Sequence, residues 1–445
     1  MINDFNYDGL WWHPENPEKK ISGALNFTLD DGAKLNLIGS FGTVSDFFQG
    51  DIERHDAILG ISPAGHKISI YNSIKINSKY SASGFTVDSY IVPLVFIGEH
   101  FNKLNDVKFK SLNIVYSHLD AWVNISGFKF ELEPNEYTIK YKKPDSVCAT
   151  LRDCNVSIGF NVSGPDWSIV QKSTRINQES VITIDFMVEK TFDECLDVIY
   201  LMQNFLSLGV GEPVKPLEIK GFLDKKSSPH GIEILYTNNY IRMPVRDIIP
   251  PHMIFNLNDI SEKFEEYLNN WFENAELLKP VYDLYFGTLY NQRMYQEQQF
   301  LSLVQAIESY HRRRFKSWEL PPSDHDQRLK KIYDSTPDEH KEWLKGKLNY
   351  SNESNLRKRL KEIFKRYPSI VLINRNKFIN DVVNTRNYLT HYDNKLKNVA
   401  ITDEKGLYNV TEKLKNLIEI CLFTELGFND DEIKKTNSYN NFIKN

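Results

Sequence analysis

Cysteine is scarce in this sequence. Four stand in 445 residues (Cys148, Cys154, Cys195 and Cys421), and no two form a Cys-x-x-Cys pair. This argues against a disulfide framework or a zinc ribbon and fits reduced thiols in a cytoplasmic protein. No apolar run reaches the ~18 residues a membrane-spanning helix needs. The opening residues, Met1 to Asp8, lack the basic segment and apolar stretch of a secretory leader. Strong charge of one sign is missing too: a net charge of −5 argues against a protein that simply coats nucleic acid, so any basic surface is local. No set of metal-ligating residues stands in a convincing context, and neither metal nor cofactor is expected. No Gly-x-Ser-x-Gly elbow, internal repeat or low-complexity segment is present.

What remains is an ordered globular composition, 41% hydrophobic and 13% aromatic, in a chain long enough for two or three domains. Residues 20 to 190 read as β-rich. Strand-like runs are Ile21 to Thr28, Lys34 to Ile38, Ala57 to Ile61, Lys67 to Asn72, Tyr90 to Ile97, Ser111 to Tyr116, Glu136 to Tyr141, Val156 to Val162 and Ser180 to Val188. Asp30-Asp31-Gly32 supplies a hairpin turn. Their short spacing favours an antiparallel, sandwich-like or barrel-like sheet over alternating β-α units. Phe192 to Leu208 switches to helical period and is closed by Gly209 to Pro213. From Asp259 the pattern is helical, with helices expected at 259–276, 280–291, 293–316, 355–366, 374–392 and 407–425. The polar connection from Leu320 to Asn352 is expected to hold one short helix. The expected class is α+β: a β-rich domain over 1–255 and an all-α bundle over 256–445.

The helix at 374–392 carries the most informative pattern. At about 100° per residue, Phe378, Ile379, Val382, Val383 and Leu389 form an apolar arc, and Arg386 falls in its middle. Asn380, Asn384, Asn387 and His391 form a polar stripe beside it. A guanidinium keeps its charge, so an arginine on a core-facing arc needs a partner or a wet crevice. Arginine binds phosphate well and histidine titrates near neutrality, which together suggest a phosphodiester-handling site. Upstream, Phe300, Leu303, Val304 and Ile307 give a helix an apolar face that His311 shares, with Glu308 at its edge. Glu308 is expected to accept a hydrogen bond from Arg386 or His391 and hold the pair, with His311 supporting. Residues 311 to 366 hold sixteen Lys/Arg against nine Asp/Glu. That surplus beside a phosphate-handling site suggests an RNA surface, with Arg312, Arg313 and Arg314 foremost. Trp11, Trp12 and His13 read either as a hydrophobic plug over the sheet edge or as an exposed aromatic recognition surface.

Gln305-Ala306-Ile307-Glu308-Ser309-Tyr310-His311-Arg312, followed by Arg386-Asn387-Tyr388-Leu389-Thr390-His391, resembles the ApeA-like branch of the HEPN helical ribonucleases. Leu10-Trp11-Trp12-His13-Pro14, Ile21-Ser22-Gly23-Ala24-Leu25 and Leu35-Asn36-Leu37-Ile38-Gly39 resemble the N-terminal β domain that accompanies it in bacterial ApeA antiphage proteins. The family's Arg-x4–6-His motif is met at its shortest spacing. Its Arg-x4-His-x-Tyr variant is not, because Asp393 stands at the tyrosine position. The resemblance implies metal-independent RNA cleavage at a site between two HEPN domains, in antiphage defence by abortive infection, with tRNA among the candidate substrates. It assigns catalysis to Arg386, Asn387 and His391. Arg386 and His391 lie about 140° apart around their helix, which independently favours a site drawn from two copies, hence a homodimer or a larger even assembly. A phage-derived trigger is a further expected partner, and a membrane is not. The rival readings are a non-catalytic HEPN dimerisation or RNA-binding module and a carbohydrate-binding β domain with a helical appendage.

Overall fold

The computed structural model describes residues 4–28, 31–42, 53–80, 86–167, 172–224, 230–236, 246–291, 293–367 and 374–444. The chain divides into two compact units, Met1–Asn269 and Asn270–Asn445.

The first unit is built on antiparallel strands. They are β1 (Phe5–His13), β2 (Asn16–Thr28), β3 (Gly32–Ile38), β4 (Arg54–Ile61), β5 (Lys67–Tyr80), β6 (Thr86–Val92), β7 (Leu94–Ile97), β8 (Lys108–Tyr116), β9 (Phe128–Glu133), β10 (Glu136–Tyr141), β11 (Val147–Thr150), β12 (Cys154–Ser163), β13 (Asn177–Thr191), β14 (Pro216–Phe222) and β15 (Ile232–Tyr236). Among the described residues, thirteen of them join in the order β11-β12-β13-β8-β14-β15-β7-β5-β4-β1-β2-β3-β6, and β5 also pairs with β6. That last pairing closes β1 to β6 into a barrel, from which β7 leads into an open arm. Closure removes the exposed edges an open sheet would leave. Of the forms the sequence allowed, the antiparallel sheet takes the barrel. The expected run from Tyr90 to Ile97 divides at Pro93, which has no N–H to give a ladder. In the expected hairpin turn, Asp30 lies outside the described residues; Gly32 follows at φ 73°, in the left-handed region glycine favours.

Strand periodicity fills the barrel. Ala33, Leu35 and Leu37 point inward from β3 while Lys34 and Asn36 do not, and Leu25, Phe27, Ile58, Ile68, Ile70 and Val92 join them. Trp11 is fully buried in this core, and Trp12, on the other face of β1, is nearly fully buried as well. The tryptophans are buried rather than an exposed recognition surface, but they lie within β1, paired on both sides, and do not plug a sheet edge. Gly60 makes the room: a Cβ there would meet the Trp11 ring at 2.3 Å. A half-buried charged network also lies among the barrel strands. Asp88, fully buried, meets Lys75 Nζ at 2.8 Å, and Lys75 reaches Glu53 at 3.0 Å. His55 pairs with Glu53 at 2.8 Å, and the Tyr90 hydroxyl donates to Glu53 at 3.2 Å. The His55 hydrogen bond, working against burial and assisted by Lys75, holds the Glu53 carboxyl down at about 2. Short α1 (Leu119–Val123) and long α2 (Phe192–Val210) pack on the arm, α2 opening with a Thr191/Glu194 capping box. Cys154 and Cys195 are buried, and burial pushes their thiols up to about 11 and about 12. Neither is a reactive thiolate.

Four-residue α3 (Leu257–Ile260) and α4 (Phe264–Glu273) lead toward the second unit. That unit holds α5 (Ala275–Tyr290), α6 (Gln296–Arg314), α7 (Pro322–Asp334), α8 (Asp338–Leu348), α9 (Leu356–Arg366), α10 (Arg375–His391), α11 (Glu404–Leu426), α12 (Asp430–Lys435) and α13 (Asn437–Lys444). Leu414, Leu417, Ile418, Ile420, Cys421, Leu422 and Phe423 make α11 apolar around its circumference, as a central helix must be. It packs on α6, which also packs on α5. The Leu320–Asn352 connection holds two helices, α7 and α8, where the sequence suggested one. Neither buries a residue, so their apolar signal is weak. Among the described residues no helix is long and apolar enough to cross a membrane.

Candidate active site

Helices α6, α9 and α10 pack against one another. Leu356, Leu360, Ile363 and Phe364 give α9 a buried stripe at helical spacing, and the Asn355 side chain caps it by accepting from Lys358 N at 3.0 Å. On α10, Phe378, Ile379, Val382 and Leu389 are buried, as is Thr385, whose hydroxyl accepts from Ile401 N at 3.0 Å. The helix ends at His391, and Tyr392 follows with φ 50°.

Arg386 therefore emerges at the rim of the apolar arc, with its side chain one-third exposed. Its Nη2 donates to both carboxylate oxygens of Glu308 on α6 at 3.4 Å, and its Nη1 donates to Asn387 Oδ1 at 3.1 Å. The arginine on the apolar arc has both a partner and solvent. At 3.4 Å the pair is longer than a tight charge-assisted bond, so the guanidinium keeps capacity for another anion. His391 is exposed at the helix end, one and a half turns on, and among the described residues no hydrogen bond engages its imidazole.

The structure brings Glu308, Arg386 and Asn387 together, and leaves His311 elsewhere. His311 is buried, stacks on Phe315 at 4.5 Å, and shares a 2.7 Å hydrogen bond between Nε2 and Glu362 of α9. Burial, partly offset by Glu362, lowers its pKa, so the neutral ring donates through Nε2. Burial opposes ionisation of Glu362, but hydrogen bonds from Ser317 and His311 hold it below the usual carboxylate range. Of the three consecutive arginines, Arg312 pairs with Glu353 at 2.7 Å and Arg313 is exposed. Arg314 is directed to Glu425, which also accepts from Tyr310 at 2.8 Å, and to Asn274.

Two arginines went unmarked in the sequence. Arg359 is buried: its Nε donates to Ser354 O at 2.7 Å and its Nη1 to the Glu308 main-chain oxygen at 3.4 Å. It latches α9 to α6 beside the Arg386 partner. Leu356, Arg359, Leu360 and Ile363 share one stripe, so the signal that marked Arg386 also marks Arg359. Arg357 donates to Asn380 of α10 and ties α9 to the polar stripe of that helix. Among the described residues no three His, Cys, Asp or Glu side chains gather where they could hold a metal ion.

Residues 6–271 match the ApeA N-terminal domain 1 family, and residues 301–432 match the Apea-like HEPN family. The chain belongs to the ApeA family. Arg386 and Glu308 thus lie within an ApeA-like HEPN domain, a type that points to the HEPN nucleases of antiphage defence. The N-terminal ApeA domain accounts for the barrel and its arm. Neither a curated protein nor a solved structure matches the chain.

Proposed function

We propose that this ApeA-family chain is an endoribonuclease that cleaves RNA by attack of its own 2′-hydroxyl, at a site carried by α10. The observation behind this reading is Arg386: a guanidinium held by Glu308 and Asn387, one-third open to solvent, on the helix that ends in an exposed histidine. In the reaction the 2′-oxygen bonds to phosphorus as the bond to the 5′-oxygen breaks, leaving a 2′,3′-cyclic phosphate and a 5′-hydroxyl. His391 takes the 2′-hydroxyl proton as general base, or delivers one to the leaving oxygen as general acid. Arg386 neutralises the charge that builds on the phosphorane oxygens, and Asn387 orients the guanidinium. Glu308 is a positioning residue, and His311 supports it at one remove by joining α6 to α9 through Glu362. Arg312 and Arg313 guide RNA from the end of α6, and Arg314 contributes from the same end through its hold on Glu425. The nucleophile is the substrate's own, and a guanidinium rather than a metal cation stabilises the charge on the attacked phosphate, so this scheme is metal-independent.

HEPN domains generally dimerise and bind RNA, and the reading includes a homodimer with facing α10 helices. The domain limits proposed for this division of labour are 1–255, sensing or regulatory, and 256–445, catalytic. In the cytoplasm of an infected cell the outcome is abortive infection, with tRNA the first RNA to examine and a phage component as trigger.

The test is sequencing of RNA ends after induction, for the parent protein and for His391→Ala and Arg386→Ala. Each substitution is expected to lower cleavage by about 10²–10⁴ without altering the melting profile, and parental cleavage is expected to survive EDTA. A folded His391→Ala protein that still cleaves would remove His391 from catalysis, and a parent that produces no new RNA ends would reduce the chain to a non-catalytic RNA-binding or dimerisation module.

A further inference from the structure

Tyr392 sits one residue beyond His391 and is out of keeping with its position. It occupies the left-handed region, φ 50° and ψ 32°, as the residue that closes α10. Helices that end this way place glycine or asparagine there, because a side chain carrying a Cβ is strained, and bulky residues rarely adopt it. An aromatic residue in such a conformation is ordinarily held by packing. Tyr392 is 66% exposed, and its ring meets Tyr388 edge-on at 5.6 Å between centroids. Its backbone N–H donates to the Tyr388 carbonyl at 2.6 Å, which fixes where the ring begins. The chain therefore holds a large flat apolar surface in water, in a strained conformation, beside a histidine with no hydrogen-bond partner among the described residues. Strain of this kind concentrates at functional positions.

We infer that Tyr392 is a stacking platform for a nucleobase of single-stranded RNA, flanking the phosphate that Arg386 and His391 address. This rests on the RNA-cleavage reading of α10 and deepens it, because it names the substrate form as unpaired RNA with at least one unstacked base. Base edges inside an A-form helix are hard to reach, whereas loop bases splay out and stack on aromatic rings. Stacking tolerates any base, so Tyr392 selects for an unpaired nucleotide rather than for one sequence. Tyr388 serves as the positioning residue that limits the ring's swing.

The probes are two single-stranded 2′-O-methyl oligonucleotides, one with bases and one with the same backbone carrying abasic sites. Neither can supply a 2′-hydroxyl nucleophile, so neither is cleaved and binding is read without turnover. The parent is expected to prefer the base-bearing probe. Tyr392→Gly is expected to bind that probe about 10- to 100-fold more weakly, to bind the abasic probe unchanged, and to melt no lower than the parent because the left-handed strain is relieved. Tyr392→Phe, which keeps the ring, is expected to retain the parental preference. Equal binding of both probes by the parent, or an unchanged preference in Tyr392→Gly, overturns the platform and leaves the cleavage reading standing. A Tyr392→Gly protein that keeps its RNA affinity but no longer sediments as a dimer assigns the ring to a subunit interface instead. Failure of the parent to bind either probe overturns the platform, while the cleavage reading stands or falls on the RNA-end sequencing.

Discussion

Arg359 and Arg386 pose one problem and receive different answers. Each is an arginine on the apolar stripe of an amphipathic helix. Arg359 is buried and spends its donors on fixed carbonyls and on Glu353. Arg386 stays one-third exposed and meets a carboxylate at long range. The first arrangement builds a joint, and the second leaves a charge available. Glu308 stands at the meeting point, giving its main-chain oxygen to one arginine and its carboxylate to the other. An ion pair this exposed contributes little to stability, about 0–1 kcal/mol. Its value lies in direction, since misplacing a catalytic group by ~1 Å can cost 10²-fold in rate. Glu308→Gln is expected to lower the single-turnover cleavage rate by about 10- to 100-fold while the melting temperature stays within a degree or two. A large loss of stability with normal turnover would make Glu308 a structural residue.

At the scale of elements, the structure places the basic surplus of the sequence more narrowly than the sequence did. The surplus of positive charge between residues 311 and 366 does not spread over the connection, where α7 and α8 carry both signs in equal measure. It lies at the end of α6 and on α9, where Arg357, Lys361 and Lys365 follow one another at four-residue spacing and Lys361 and Lys365 are exposed, away from the buried stripe. Arg357 joins that ridge to Asn380 and so to the polar stripe of α10. Reversing Lys361 and Lys365 to Glu is expected to weaken binding of long RNA. Its salt dependence is expected to flatten by about one unit of slope for each phosphate that is no longer neutralised. Cleavage of a very short RNA is expected to change little. An unchanged salt titration would return the ridge to plain solvation. Periodicity made α6, α9, α10 and α11 legible, and Arg386 with them, because an amphipathic stripe declares its own exceptions. The pairing of Arg386 with Glu308 was legible as one of two options, whereas the Arg359 latch on the Glu308 main chain and the pairing of His311 with Glu362 were not, because they depend on how three helices cross. The barrel was legible as an antiparallel sheet but not as a closed one, since the β5–β6 pairing that closes it is a matter of register. β1 escaped notice because Trp11 and Trp12 are both buried, which hides the alternation of a half-exposed strand.

For the whole molecule, two compact units imply two cores and separable responses. The β unit carries an acid-sensitive group in Glu53, as the helical unit does in Glu362. Glu53 is lowered from 4.5 to about 2 in the folded barrel. A depressed carboxyl stabilises the fold fully above its unfolded pKa, and that contribution is lost as pH falls toward its folded value. Calorimetry between pH 5 and pH 2 is expected to show the barrel's transition falling with pH, and Glu53→Gln is expected to flatten that fall. The helical unit responds to pairing as well. Arg386 and His391 lie on one helix but about 140° apart around it, so a single copy presents them to different directions. A cleft between two α10 helices related by a two-fold axis lets the arginine of one copy and the histidine of the other face the same phosphate. Mixing Arg386→Ala subunits with His391→Ala subunits separates this arrangement from a site contained in one copy. If sites are shared, one of the two sites in each mixed dimer is intact and cleavage returns to roughly a quarter of the parental rate, since about half the dimers formed at equal mixing are hybrids with one working site. If each copy supplies both groups, no mixture recovers activity although sedimentation still reports dimers. A parental protein that sediments as a monomer and cleaves at full rate would exclude the shared site, and would require α10 to bend its two ends toward one phosphate.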